Sequence, residues 1–431
     1  MRSLGAAVAS TFARDGISRA VVGRDVRESG DAYFEALTEG LTGAGIDVVD
    51  IGLVPTPVFY FAARRWGFQG GVMITASHNA AEYNGFKILR GEGTIYGEDI
   101  MELHSIISAG GLPRGKTAGV SSREAVREYV DFIVSNINLD RPVRFAADGG
   151  NGTAGIVAPA IFRGLGCEPV ELFMEPDGRF PNHHPDPTVE KNLVDLRKAV
   201  TGGGLELGIG FDGDSDRIGV VDDKGRTLYG DYLLAIYARD ILRDNPGATV
   251  IFEVKCSQGL VEDILRHGGR PVMWKTGHSL IKKKMREEKA LLAGEMSGHQ
   301  FFADRYFGFD DAIYAACRLL ELLSKSGLPL SAMVDDLPRY SSTPEIRVDC
   351  ADEAKFGVVD RIRERFRMTN EVIDVDGARV KFDDGWGLVR ASNTQPVLVL
   401  RFEASGPEAL ESIKKAFLDV LGEYIDISGI A

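Results

Sequence analysis

The chain has 431 residues, 44% of them hydrophobic and 26% charged, and a formal net charge of −13. That length exceeds one ordinary hydrophobic core and calls for three or four domains, while the composition excludes a disordered or fibrous protein. The acidic balance excludes general affinity for nucleic acid or an anionic membrane, and no apolar run approaches the roughly 20 residues of a membrane span.

Near the N-terminus, Leu4, Val8 and Phe12 fall at helical spacing. They predict an amphipathic helix and not a signal peptide, because Arg14 and Asp15 soon interrupt the apolar run. A strand-like run at Ala20-Val21-Val22-Gly23 is followed by a helix-like stretch, a second run from Ile46 to Ile51, another helix-like stretch, and a third run at Val72-Met73-Ile74. The order recurs from Val143-Arg144-Phe145-Ala146 through Pro169–Phe173 to Leu207–Phe211. It recurs again from Val250-Ile251-Phe252 through Pro271–Trp274 to Leu291-Leu292-Ala293. Short β-branched runs alternating with helices indicate parallel-rich α/β units, and the wide spacing of the passes indicates duplicated domains, not a solenoid.

From about Ser341 the pattern changes. Glu345–Val348 and Val397–Leu400 read as antiparallel strands, with helices over 353–366 and 407–421. The predicted fold class is α/β: three similar mixed-sheet domains over 1–122, 123–226 and 227–338, and a C-terminal α+β domain over 339–431, around a central cleft. Cys167, Cys256, Cys317 and Cys350 form no CxxC pair, which favours a reducing, cytoplasmic home with thiols as small core residues.

Three polar motifs follow the third run of each pass, where open α/β sheets place their ligands. Thr75-Ala76-Ser77-His78-Asn79 offers a serine in a turn, which read alone is an ordinary hydroxyl and read with the aspartates downstream suggests a phosphoserine that donates its phosphoryl group. Asp212, Asp214 and Asp216 alternate and are closed by Arg217. They form either a solvated turn or an oxygen cage for a hard divalent cation. An EF-hand is excluded because Arg217 stands where that loop needs glycine. Glu295-Met296-Ser297-Gly298-His299 suits sugar hydroxyls or a structural turn. Before the last strand, Arg390-Ala391-Ser392-Asn393-Thr394-Gln395-Pro396 carries anion-binding equipment. Lys255 and His278 add positive charge and donors, and His183 with His184 read as an exposed loop or a metal pair.

With these four motifs in this order, the chain resembles the α-D-phosphohexomutase superfamily over essentially its whole length. Gly294–His299 is similar to the phosphomannomutase/phosphoglucomutase branch; phosphoglucosamine mutases usually have glutamine where Met296 stands. The resemblance implies a Mg²⁺-dependent enzyme that interconverts hexose 1- and 6-phosphates through a phosphoserine and a hexose 1,6-bisphosphate. It makes Ser77 the phosphorylated serine and, with Asp212, Asp214 and Asp216, one of the metal ligands. Lys87, Arg217 and His278 then surround the transferred phosphoryl group. Glu295 and Ser297 contact the sugar, with His299 nearby and Lys255 assisting, and Arg390, Ser392, Asn393 and Thr394 clamp the other phosphate. His299 is favoured as general base over Lys87, which would need a depressed pKa. The alternatives are a phosphoglucosamine mutase and a silent sugar-phosphate-binding protein. Members usually begin upstream with a strand and a Tyr-Asp-Ile-Arg-like motif. The sequence therefore predicts an incomplete first domain, less stable and less active than a longer form.

Overall fold

A computed structural model describes residues 1–110, 118–393 and 395–427. Each of the first three sheets repeats one plan. The first strand, Arg19–Arg24, lies between two parallel neighbours, Asp47–Leu53 and Gly70–Ile74, and the last of these turns back into antiparallel Phe86–Arg90. In the second sheet Phe145–Asp148 lies between Val170–Leu172 and Leu207–Phe211, which pairs antiparallel with Ile218–Asp222. In the third, Thr249–Glu253 lies between Arg270–Trp274 and Leu292–Gly294, which pairs antiparallel with Gln300–Phe302. Gly70–Ile74, Leu207–Phe211 and Thr249–Glu253 are buried at every residue. That explains their near-continuous small and apolar sequences: both faces of a parallel sheet are covered.

The connection from third to fourth strand is therefore equivalent in all three sheets, and it carries residues 75–85, 212–217 and 295–299. The boundary predicted at 226/227 needs correction. Thr227–Leu228 belongs to the second sheet, pairing with Val220 and Val221, because the hairpin that follows Asp222 must close before the chain can leave.

One hydrophobic cluster runs through the first three domains. It includes Phe61 from the helix Thr56–Trp66, Tyr129 and Phe145 from the second domain, and Tyr237 and Phe252 from the third. Aromatic contacts cross each seam: Phe61 with Tyr129, Tyr60 with Phe309, and Phe132 with Phe307, at ring-centroid separations of 5.4 Å. Burying one such ring contributes about 2–3 kcal/mol, so these domains form one packed body.

The fourth sheet has its own core. Val380, Val389, Leu398, Leu400 and Phe402 pack against the helices Asp352–Arg367 and Pro407–Leu421. Strand alternation sends the intervening residues to the opposite face. Trp386 and Leu388 meet Val254 of the third domain. On the same side Arg379 donates to the carbonyls of Val254 and Cys256 at 2.6 and 2.9 Å, and Glu403 accepts from the Gln258 N–H at 2.8 Å. The seam to the fourth domain thus combines a small apolar patch with buried polar contacts. Among the described residues no helix is long and apolar enough to cross a membrane.

This seam makes a prediction. Arg379 is fully buried and burial pulls its pKa down to about 10, and its truncation strands two buried carbonyls. Arg379→Ala should weaken docking of the fourth domain by about 2–4 kcal/mol. Calorimetry should show a fourth-domain transition moving to lower temperature ahead of the remainder, whereas an unmoved, unsplit melt would contradict this division.

Candidate active site

The first two sheets bring Ser77 and Asp212 together across 135 positions, with Ser77 Oγ donating to Asp212 Oδ2 at 2.7 Å. Ser77 sits in the left-handed region at φ +50, which costs a non-glycine residue about 1–2 kcal/mol. Its N–H is tied to Thr75 Oγ1 at 2.9 Å. The aspartate turn is curled from within, because Asp212 Oδ1 accepts the N–H groups of Asp216 and Arg217 at 3.0 and 3.1 Å. Gly213 is required by the approach of the two turns: a Cβ there would lie 2.5 Å from the Ser77 carbonyl oxygen. Thr56, at the start of its helix, binds Asp214 twice, by its hydroxyl at 2.6 Å and its N–H at 2.9 Å.

Asp212, Asp214 and Asp216 are fully buried, and their carboxylates lie within 4.8 Å of one another. Burial and the charges of Asp216 and Asp214 push Asp212 well above the usual carboxylate range. Burial pushes Asp214 up as well, but Lys87 overcomes it and holds that carboxyl low. Lys87 reaches in from Phe86–Arg90, with Nζ 2.7 Å from Asp214 Oδ2 and bonded also to Asp216 Oδ2. Asp214 Oδ1 and Asp216 Oδ1 remain buried without a hydrogen-bond partner. An orphaned acceptor costs about 1–3 kcal/mol, and a hard, oxygen-only donor set of this kind fits a divalent cation. The residues present therefore suit a metal of that class.

Arg217 joins this turn to the third domain. Its Nε donates to His299 Nε2 at 3.0 Å, and its Nη1 lies 3.4 Å from His78 Nε2. His78 Nδ1 is in turn 3.2 Å from Ser77 Oγ, and burial with the Arg217 charge pushes His78 down to about 3. His299 Nδ1 faces Asp310 Oδ2 at 3.3 Å and Asp216 Oδ1 at 3.6 Å. The His278 ring stacks on His299 at 5.6 Å between centroids, and burial with the charge of Lys282 pushes it down to about 4. Lys282 Nζ donates to Asp310 Oδ1 at 2.8 Å. Ser77, Lys87, the three aspartates, Arg217, His278 and His299 are thus brought into one cluster.

The other two sequence motifs, Glu295–His299 and Arg390–Pro396, are linked to it. Burial raises the pKa of Glu295, whose Oε1 accepts the Gly277 N–H at 2.5 Å and whose Oε2 is 3.5 Å from Ser297 Oγ. Lys255 is not a free cation here: its Nζ is 3.0 Å from Glu345 Oε2 and 3.8 Å from Glu253 Oε1, stapling the third domain to the fourth. Arg390 Nε donates to Asp376 Oδ2 at 2.9 Å, and the same oxygen accepts the Thr276 N–H at 3.0 Å. A polar chain therefore runs from Arg390 through Asp376 and Thr276 to Gly277 and Glu295. Lys355 Nζ holds the carbonyls of Ser392 and Gln395 at 2.5 and 3.0 Å, with Asn393 exposed between them. Thr394 lies outside the described residues.

Sequence reasoning missed Asp310, Lys282, Asp376 and Lys355. Asp310 left a signal in the pair Asp310-Asp311 before a helix: Asp311 caps that helix by accepting the Tyr314 N–H at 2.8 Å, which leaves the first carboxylate surplus. The exposed-loop expectation for His183 is corrected. It is half-buried with Nε2 3.0 Å from Asp148 Oδ2, and only His184 is exposed. His183 appears in neither metal-competent group among the described residues.

Comparison with known proteins agrees with this architecture. Residues 1–110, 127–225 and 229–340 match the phosphoglucomutase/phosphomannomutase alpha/beta/alpha domains I, II and III, and residues 345–420 match the C-terminal domain of the same family. A phosphoglucomutase of Neisseria gonorrhoeae is 47% identical over 422 residues, 97% of this chain and 92% of that protein. A phosphomannomutase/phosphoglucomutase of Pseudomonas putida is 47% identical over 415 residues, 96% of this chain and 89% of that protein. The crystal structure of a phosphoglucomutase/phosphomannomutase family protein from Burkholderia thailandensis superposes with a TM-score of 0.92 at 44% identity, covering 98% of this chain and 93% of that one. Four family domains in order, on a chain whose three equivalent hairpins converge on one buried acidic cluster, leave a single assignment: the chain belongs to the phosphoglucomutase/phosphomannomutase family.

Proposed function

We propose that the enzyme interconverts hexose 1-phosphates and hexose 6-phosphates, with glucose and mannose as the sugars. Relatives named phosphoglucomutase and phosphomannomutase/phosphoglucomutase at 47% identity support this reading. The observation that carries the mechanism is Ser77 Oγ at 2.7 Å from Asp212, beside an ammonium bonded to Asp214 and Asp216. Asp212, Asp214 and Asp216 would hold Mg²⁺, which when bound supplies Lewis-acid charge beside the phosphate. The four buried, free cysteines support a cytoplasmic location.

In the proposed reaction Ser77 carries a phosphoryl group, close to two negative charges at neutral pH. A hydroxyl of the bound sugar phosphate attacks phosphorus in line. The bond from phosphorus to Ser77 Oγ breaks, the new bond to the sugar oxygen forms, and a hexose 1,6-bisphosphate results. Lys87 and Arg217 are placed to spread the charge of the loose transition state. Lys87 Nζ is committed to two carboxylates, and His299 Nε2, which accepts from Arg217 Nε, would take the hydroxyl proton once that bond is released. The bisphosphate turns end for end, and its other phosphate returns to Ser77. Glu295 and Ser297 read hydroxyls common to both sugars, and Arg390 with its loop takes the non-reacting phosphate. That loop stands on a domain with its own core, a suitable foundation for a clamp that closes over either end of the sugar and excludes water.

Three outcomes follow. Ser77→Ala should lose nearly all mutase activity while melting within a few degrees of the parent, since one hydroxyl contributes little stability; intact-mass and peptide analysis should place phosphate on Ser77 in active protein, and a fully active variant would end the phosphoserine reading. Glucose and mannose 1-phosphates should turn over with kcat/KM within about two orders of magnitude, because a contact or two discriminates by only ~1–3 kcal/mol. A clear preference for glucosamine 6-phosphate would reassign the branch. Arg390→Ala should raise KM for every sugar phosphate, about tenfold or more, by removing a charge-assisted contact they share. Calorimetric Mg²⁺ titration of that variant should match the parent, and loss of metal affinity would mean the loop serves a different site.

A further inference from the structure

Arg27 follows the strand Arg19–Arg24 and has a side chain with no exposed surface. Its Nε donates to Asp25 Oδ2 at 3.2 Å. Nη1 donates to the carbonyls of Ala80 and Tyr83 at 2.6 and 2.8 Å. Nη2 donates to those of Ser77 and Asn79 at 2.9 and 2.6 Å. A guanidinium has five N–H donors in a rigid planar fork. Here all five are engaged, and four of them converge on main-chain oxygens of the one loop that carries Ser77.

The fork is held in place from the other side. The Asp25 carboxylate also accepts the Arg27 N–H at 3.0 Å, and the Asp25 N–H is tied to the Ile74 carbonyl at 2.9 Å, at the end of the strand that leads into the loop. The guanidinium carbon lies 5.3 Å from the centre of the Phe180 ring, on a loop of the second domain. That loop is seated tightly: a Cβ on Gly178 would come within 2.3 Å of the Val26 carbonyl oxygen. Ser77 keeps a left-handed φ of +50, a conformation that persists where the surroundings over-determine it. Thr75 fixes its N–H, and Arg27 fixes the carbonyl side.

We infer that Arg27 is the positioning residue of the Ser77 loop: it holds Ser77 Oγ against Asp212 and thereby decides whether a phosphoryl group on Ser77 passes to sugar or to water. The inference rests on the reading that Ser77 carries that group. In productive transfer the bond from phosphorus to Ser77 Oγ breaks as the bond to the sugar oxygen forms, and the sugar hydroxyl's proton leaves to the base. In the competing reaction water supplies the oxygen, inorganic phosphate is released, and Ser77 regains its proton. A loop freed from Arg27 aligns poorly with the sugar hydroxyl but not with water, which reaches phosphorus from many directions. Lysine cannot substitute, because a single ammonium offers three donors without the planar fork.

The test compares the full-length parent with Arg27→Lys and Arg27→Ala. For each, kcat and KM for glucose 1-phosphate, the lifetime of the phosphorylated protein by intact mass, and the melting temperature are measured. The expected result is a kcat reduced about 10²-fold, the scale set by ångström-sized misplacement, with KM within about threefold because other loops bind the sugar phosphate. The phosphorylated protein should lose phosphate severalfold faster, and millimolar guanidinium should restore part of kcat in Arg27→Ala. An Arg27→Lys protein with parental kcat and phosphoprotein lifetime overturns the inference. So does a parallel decline of kcat, KM and melting temperature without guanidinium rescue, which would mark a merely structural residue. A fully active Ser77→Ala overturns the Ser77 reading and this inference with it, whereas an inactive Ser77→Ala beside an unimpaired Arg27→Lys overturns this inference alone.

Discussion

Three carboxyl groups packed within 4.8 Å of one another and shut away from water, so close that ionising all of them is opposed, are the constraint from which the rest of this structure follows. A pair of such charges at about 4 Å repels by roughly 4 kcal/mol at the effective dielectric of protein sites. Asp212, Asp214 and Asp216 therefore exist together only if cations and donors come to them, and the local chain does not supply enough. Lys87 and Thr56 arrive from the first domain, and the His299 ring stands beside Asp216 from the third. Domain packing and site electrostatics are one problem here, because the partners that make the acidic turn tolerable are the groups to which the proposed reaction assigns its roles.

The same economy explains why the motif loops occupy equivalent hairpins. A strand buried on both faces presents its end as a fixed rim, and the antiparallel return of the next strand leaves a short loop there. Repeating that plan three times lets three rims meet, provided the apolar seams between domains are continuous, as Phe61 with Tyr129 and Phe132 with Phe307 make them. The fourth domain solves a different problem. Its sheet must face helices on one side and the third domain on the other, so Val389 and Ala391 join its core while Arg390 turns to Asp376, which also accepts the Thr276 N–H of the third domain.

Amino-acid order by itself determined the features that depend on short-range periodicity. The three passes of strand and helix, the change of pattern near Ser341, and the placement of Ser77, Asp212 and Glu295 at strand ends were all legible. Strand runs and strand-end turns are written within a few residues of one another. The strand read at Val397–Leu400 was legible too, within Val397–Ala404, where Leu398, Leu400 and Phe402 form the core face. The sequence did not say that Arg401 and Glu403, on the other face, are buried against the third domain, because a polar face in sequence looks the same whether it meets water or protein.

Tertiary structure alone decided the pairings. Ser77 with Asp212 joins residues 135 apart, Arg217 with His299 joins residues 82 apart, and Arg27 reaches a loop about 50 residues downstream. Asp310 and Lys282 gained meaning only when the fold laid them beside His278 and His299. Serine has no intrinsic preference that would announce the left-handed backbone of Ser77; the surrounding donors impose it. Local sequence chooses which chemical groups stand at each strand end, but distances of 3 Å between distant segments are set by how whole sheets and helices pack, and that information is spread over every buried residue of the core.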